Sequence, residues 1–389
     1  CWLGVGTLFS VWRGGSLRML LQTWTVSLFS FAIIASSVHG LEQCRKIVYS
    51  LAAATIFIEL MALILGRVQA GRMALAAGTL GNANDLAMML LMGAPFCLFV
   101  LRTKPGKSVF KLACLAMILL IPATVATTGS RGGLVTMAVM FILYFLPLPV
   151  AQKIGVAFAT LLLVVFAIAW STRSALDRYR TMFLSSDQAQ LSASERSAID
   201  SADLRKELLR SSVRLTLQHP LLGVGPGMFE VANADYTEKT TGRSSFNAWH
   251  ETHNTFTQLS CEDGLPALFL YCLTLFFCYK IVFSVGRRVR QYPALLPVRH
   301  MAFALRLSLI AFTGTALFAS IGYMYYFPIL AALCAVLDRG AAELFAQMPP
   351  AADQSNSMPQ AGRPAAPFRP GTPGASRAME WNRPPARSR

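Results

Sequence analysis

The residues best suited to chemistry fall in HETHNTFTQLSCEDGLPALFLY (250–271), where His250 and His253 and several acids lead into an apolar run. The two histidines are three apart, whereas a helical zinc-protease pair needs them four apart. No third ligand stands at a convincing spacing, so neither a metal nor any other cofactor is expected. A histidine at the mouth of a polar cavity instead suits general-base work, because its pKa is close to neutral. The competing reading of His253 is a structural interface histidine.

Arginines form a second set. Arg72 stands in GRMALAAGTLGNAND (71–85), where Asn82, Asn84 and Asp85 run straight into an apolar stretch. Arg131 stands in TTGSRGG (127–133), a small-residue break between two apolar stretches. Neighbouring glycines allow close approach of a ligand, and the guanidinium fork matches phosphate oxygens. An arginine at a membrane edge can also simply snorkel to the interface. In DSADLRKELLRSSVRLTLQ (200–218), Leu204, Leu208 and Leu215 share one helical face, with Arg210 and Arg214 on a neighbouring stripe. That pattern describes an amphipathic helix lying on the membrane or capping the bundle. Its arginines face either a polar cavity or solvent. HPLLGVGPGMFE (219–230) follows; its glycines do not have dinucleotide-site spacing, and a tight turn explains them locally.

The elements that must carry these residues are membrane helices. Of 389 residues, 54% are hydrophobic and 14% charged, against roughly 25% charged in soluble domains. Uncharged stretches recur at the length needed to cross about 30 Å of hydrocarbon. They predict spans near 19–38, 46–65, 84–101, 110–128, 132–148, 152–171, 262–283, 302–320 and 322–338. The expected fold is therefore all-α: a polytopic transmembrane bundle of about nine spans, with one large, partly helical loop. The expected divisions are N-terminal transmembrane helices at 1–171, the polar loop at 172–252, C-terminal transmembrane helices at 253–338, and a disordered, Pro- and Arg-rich tail at 339–389. The chain opens on Cys1 rather than Met, which reads as an N-terminally truncated record. The eight cysteines form no CxxC pair and read as small buried hydrophobes.

The net charge of +16 resides in short loops and the tail, with no basic face of the kind nucleic acid requires. Alternate short loops hold eleven basic residues (Arg45, Lys46, Arg102, Lys104, Lys107, Lys111, Lys153, Arg287, Arg288, Arg290 and Arg299) against five in the other set (Arg13, Arg18, Arg67, Arg72 and Arg131). The richer set is cytoplasmic by the positive-inside rule. Residues 172–252 then face outward, into a periplasm where there is one, and the tail faces inward.

Taken together, the motifs resemble the O-antigen ligase and polymerase superfamily of bacterial membrane glycosyltransferases. The resemblance runs from about Arg67 to Tyr271. Its most specific part pairs Gly225, Gly227 and Phe229 with His253, Asn254, Phe256, Glu262, Gly264 and Leu265 across the polar loop. TGSRGG and GTLGNANDLA resemble two further family segments, with Ala83 standing where the family usually has proline. The resemblance implies transfer of a glycan from a polyprenyl-pyrophosphate carrier to an acceptor hydroxyl, at a periplasmic face of the inner membrane. The residues read above supply a matching mechanism, in which Arg72, Arg131 and Arg214 bind the leaving pyrophosphate and His253 is the base, without metal and with inversion of the anomeric centre. Arg72, Asn84, Arg210, Asn254 and Glu262 complete the expected substrate-binding set. The acceptor is lipid A–core, another glycan or a protein hydroxyl, and membrane lipids are the remaining partners. A transporter or flippase of lipid-linked glycans or anions is the alternative; it would place charge in mid-span, as Arg306 does. A structural scaffold explains neither the arginines nor the histidine motif.

Overall fold

The computed structural model describes residues 2–69, 72–75, 78–104, 106, 108–170, 173–180, 193–242 and 248–347. Cys1, Lys107, residues 181–192 of the polar loop and the tail from 348 lie outside the described residues. The N-terminal part runs α1 (Trp2–Leu8), α2 (Arg13–Met19), a π-helical turn (Leu20–Trp24) and α3 (Thr25–Ser37), then α4 (Leu41–Leu65). A short antiparallel hairpin follows, β1 (Arg67–Gln69) with β2 (Arg72–Ala74), registering Gln69 against Arg72. Next come α5 (Ala83–Thr103), α6 (Val109–Thr127), α7 (Arg131–Phe145) and α8 (Val150–Trp170). The polar loop contributes α9 (Arg173–Arg180), α10 (Ala193–Gln218) and α11 (Phe229–Thr241). Three long helices close the chain: α12 (Thr255–Arg288), α13 (Leu296–Ala316) and α14 (Tyr326–Ala346).

The expected all-α bundle is the fold, with the Arg67–Ala74 hairpin as an addition the apolar pattern does not announce. Among the described residues, seven helical stretches are long and apolar enough to cross a membrane: α2–α3, α4, α5, α6, α8, α12 and α13. α7 is apolar but has 15 residues, about 22 Å of helix against a hydrocarbon core of about 30 Å. α5 and α13 pack against each other at the centre, with α4, α6, α7, α12 and α14 around them. α8 lies at the periphery and exposes Ile154, Phe158, Leu161, Leu162, Val165 and Ile168, the surface expected of a helix facing lipid tails.

The largest departures from the hydropathy reading are at α12 and α14. α12 starts at Thr255, ahead of the apolar run, because Thr255, Gln258, Ser260, Glu262 and Asp263 are buried within the protein and paired there. Residues 317–325 form a turn before α14, which then continues to Ala346, past the expected boundary at 338. That turn is held by side chains of α12: Thr255 Oγ1 donates to Ala319 O (2.7 Å), and Gln258 Oε1 accepts from Gly322 N (3.2 Å).

The glycine-rich turn 219–230 interlocks with α12. Val224 N donates to Cys261 O (2.8 Å), Gly225 N to Glu262 O (2.8 Å) and Leu265 N to Pro220 O (2.8 Å). α12 can accept those bonds because Gly264 leaves the helix, at φ 84° and ψ 172°, and frees its neighbours' carbonyls. A methyl at Gly264 would overlap the Leu221 carbonyl oxygen, and one at Gly223 would overlap the Glu262 carbonyl. Gly264→Ala therefore adds backbone strain of about 1–3 kcal/mol to a steric overlap. Its thermal unfolding midpoint in detergent is expected to fall by several degrees, and an unchanged midpoint would mean that the interlock contributes nothing.

Candidate functional site

The helices alternate in direction, so the described residues of the connections after α4, α6, α8 and α13 meet at one end of the bundle. There a polar cavity of about 300 Å³ is lined by Asn82, Asn84, Asp85, Glu230, His250, Glu251, His253 and Ser320, with Phe318 and Tyr326 among its apolar walls. Its volume is at the lower end of the range usual for ligand sites.

Arg72 braces one wall. Its Nη2 donates to Asn84 Oδ1 (2.8 Å) and its Nε to Thr128 O (3.2 Å), which ties the hairpin to the start of α5 and the end of α6. The run 82–85 is built for this: Asn82 caps α5 by accepting from Asn84 N (2.9 Å), which turns Asn84 towards Arg72 and Asp85 towards the cavity. Arg131 is half-buried in the first turn of α7, after the capping Ser130, whose Oγ accepts from Gly133 N (3.2 Å). The adjoining Gly132 packs against Phe318 at the cavity rim.

His253 is the one described non-glycine residue with a left-handed backbone, at φ 53°. Such a conformation costs on the order of 1–3 kcal/mol and persists only where its surroundings over-determine it. Here Ser320 Oγ accepts from His253 N (2.9 Å) and lies 2.9 Å from Thr252 Oγ1, while the next residue, Asn254, caps α12. Burial drives the imidazole pKa down from 6.5 to about 4, helped by the positive charges of Arg205, His250 and Arg72. At neutral pH the ring is therefore uncharged and able to accept a proton. Glu251 moves the other way, up to about 7, because protein atoms crowd it on the cavity wall and Glu230 and Asp85 add negative charge. Burial also raises Glu230, with His250 opposing the shift.

The structure does not gather all the expected site residues. Arg210 is exposed on α10 and lines no part of the cavity. Arg214 clasps α10 to α11: its guanidinium lies 3.6 Å from the Tyr236 ring centre and its Nη2 donates to Ser211 Oγ (3.4 Å). Asn254 is occupied as the α12 cap, its Oδ1 accepting from Phe256 N (2.9 Å) and Thr257 N (3.0 Å). Its Nδ2 donates to Leu317 O (3.2 Å). Glu262 is enclosed. It accepts from Gly227 N (3.1 Å), Phe229 N (3.1 Å) and the Tyr323 hydroxyl (2.7 Å), so its oxygens are committed within the protein.

In their place the cavity holds Asp85, Glu230, His250 and Glu251, with Arg205 near enough to act on His253. Arg205 was legible from helix geometry. At about 100° per residue it lies nearer the stripe of Leu204, Leu208 and Leu215 than either Arg210 or Arg214 does. Those leucines pack, as expected, against Val224, Met228, Phe229 and Cys261. No local pattern singled out Glu230, which directly follows the glycine turn.

Residues 115–272 match the family model described as O-Antigen ligase. The matched stretch runs from within α6 into α12 and contains Arg131, the glycine turn and His253. This stretch is similar to the O-antigen ligase family and supports the resemblance to the O-antigen ligase and polymerase superfamily. Among curated proteins, none matches the chain. Arg72, Asn82, Asn84 and Ser320 lie outside the matched stretch, so that stretch supplies His253 while flanking segments complete its cavity.

The accounting for Glu262 gives a prediction that separates support from substrate binding. Glu262→Gln keeps the shape but offers an N–H where Gly227 or Phe229 already donates, a mismatch of about 1–3 kcal/mol. A lowered melting midpoint with unchanged donor affinity in the folded protein is expected. Weakened donor binding at unchanged stability would restore Glu262 to the substrate site.

Proposed function

We propose that this chain is a membrane glycosyltransferase of the ligase or polymerase type. It moves a glycan from a polyprenyl-pyrophosphate carrier to an acceptor hydroxyl on the outer face of a bacterial inner membrane. The observation that carries the reading is His253: a neutral imidazole held in a strained backbone, in a polar cavity at a helix-bundle end, inside the superfamily segment. In the reaction, His253 accepts the proton of the acceptor hydroxyl as its oxygen attacks the anomeric carbon. The bond from that carbon to the pyrophosphate oxygen breaks, and the electron pair leaves with the carrier pyrophosphate. Attack opposite the leaving group inverts the centre. Arg131 and Arg72, at the cavity's edge and behind its wall, are the cations assigned to the developing phosphate charge. Arg205 joins them, and Arg214 acts through the placement of α10 and α11. Asn84 stays in the substrate set as the cavity-lining partner of Arg72.

The test is a transfer assay with purified full chain, a synthetic polyprenyl-pyrophosphate glycan and EDTA, offering either lipid A–core or further donor as acceptor. His253→Ala should lower kcat by about 10²–10⁴, the usual contribution of a general base, while donor binding persists. Near-normal turnover would remove the base role. The acceptor that yields product separates ligase from polymerase. Absence of product with every acceptor, alongside glycan movement across liposomes, would favour a transporter.

The pH profile distinguishes His253 from Glu251 as the base. A base works deprotonated, so kcat is lost as pH falls through its pKa. With His253 as the base the acid limb should lie between about 4 and 6.5, since an anionic donor raises the imidazole from its depressed value. Glu251→Gln should leave that limb in place. A limb at about pH 7 or above that vanishes in Glu251→Gln would transfer the role to Glu251.

A further inference from the structure

The opposite end of the bundle holds a second cavity, of about 590 Å³ and different chemistry. The C-terminal ends of α5, α7 and α12 and the N-terminal ends of α8 and α13 enclose it. Its charged lining is Arg102, Arg287, Arg290, Arg299 and Arg306, joined by His300, with no carboxylate among the lining residues. None of the ion pairs among the described residues engages these five arginines. Its volume falls within the roughly 300–1,000 Å³ of ligand sites.

Arg306 makes this more than a collection of surface charges. From Arg299 to Arg306, α13 rises about 10 Å, past apolar Met301 to Leu305, which takes this cation deeper than the arginines at the helix ends. A charge at such depth is expensive and marks a ligand or a pathway. Its guanidinium lies 4.9 Å from the Phe303 ring centre and 5.3 Å from that of Phe283; Arg102 lies 5.3 Å from Phe303 on its other contact and 5.4 Å from Tyr144. Ring faces relieve part of the desolvation, yet they leave the planar N–H forks unused. Forks of that geometry are complementary to phosphate oxygens.

We propose that this cavity binds the phosphate headgroup of an anionic membrane lipid. Arg306 and Arg102 hold the phosphate from the aromatic floor, and Arg290 and Arg299 close over it from the helix ends. A lipid, rather than a free phosphate, fits because the cavity sits where spanning helices end, at headgroup level, and because apolar Leu148, Phe283 and Leu296 line it beside the arginines. The proposal does not depend on the glycosyl-transfer reading, since it concerns the end of the bundle remote from His253.

The test uses the full chain purified in neutral detergent, with native mass spectrometry titrations of cardiolipin, phosphatidylglycerol, phosphatidylcholine and inorganic pyrophosphate. Wild-type protein should retain the anionic lipids at least tenfold more tightly than phosphatidylcholine. The paired variant Arg299→Gln with Arg306→Gln should lose roughly tenfold, and the charge control Arg18→Gln, at the far end, should lose nothing. Because Arg306 is half-buried, the exposed pair Arg290→Gln with Arg299→Gln provides the same reading without disturbing the bundle. Equal lipid affinity in wild type and both paired variants, or an equal loss in Arg18→Gln, would overturn the proposal. Pyrophosphate binding more tightly than any lipid would overturn the lipid assignment in favour of a soluble phosphate compound.

Discussion

The site depends on one buried carboxylate. Glu262 accepts the backbone N–H groups of Gly227 and Phe229 from the glycine turn and the hydroxyl of Tyr323 from the turn before α14. Asp263 Oδ2 lies 2.6 Å from the same hydroxyl. One phenolic proton cannot serve two carboxylates, so one of the acids must itself carry a proton into the contact. A charge taken from water without partners would cost several kcal/mol. Here the cost is offset by charge-assisted bonds that also specify where three distant segments meet. Loss of the carboxylate would release the turn, the kink and the Tyr323 segment together. The turn carries Glu230 at its end, α12 is preceded by His253, and the Tyr323 segment carries Ser320, so the cavity's geometry follows from this junction.

What could be read from the sequence divides along the same line. Helices that face lipid announce themselves, because no other composition survives contact with hydrocarbon; α4, α5, α6 and α8 begin within a few residues of their expected limits. Elements whose polar residues are satisfied inside the protein do not. The first turns of α12 read as loop, since Gln258, Ser260, Glu262 and Asp263 lower the hydropathy of a stretch that is nonetheless buried. The Arg67–Ala74 hairpin is too short to show a period. Of the site, His253, Arg131, Arg72 and Asn84 were visible as chemistry out of place at an apolar edge. Glu262 and Asn254 stand in the same motifs as expected substrate residues, and the structure places both side chains in hydrogen bonds that hold the scaffold. A motif identifies residues that matter without saying whether they touch ligand or one another.

The arginines of α10 illustrate the limit of stripe arguments. Arg210 and Arg214 share a stripe by spacing, but the buried face is set by Leu208 and Leu215 meeting Phe229 and Cys261. Once that face is fixed, Arg214 is carried to Tyr236 on α11, and Arg205 approaches His253 on the other flank. Tertiary contact thus decides which of several charges on α10 acts on His253.

The mixed charge of the cavity also bears on how a base is made available. In the free protein His253 is neutral because burial and three positive neighbours disfavour its cation, while Glu251 holds its proton up to about pH 7 because Glu230 and Asp85 are close. An anionic group entering the cavity acts on both in the same direction, raising each pKa. For Glu251 that keeps the proton in place at neutral pH and removes it as a competing base. For His253 it moves a depressed value back towards neutrality, where an imidazole is both unprotonated and basic enough to accept a hydroxyl proton. On the proposed function, the ligand that needs the base is then also the one that tunes it.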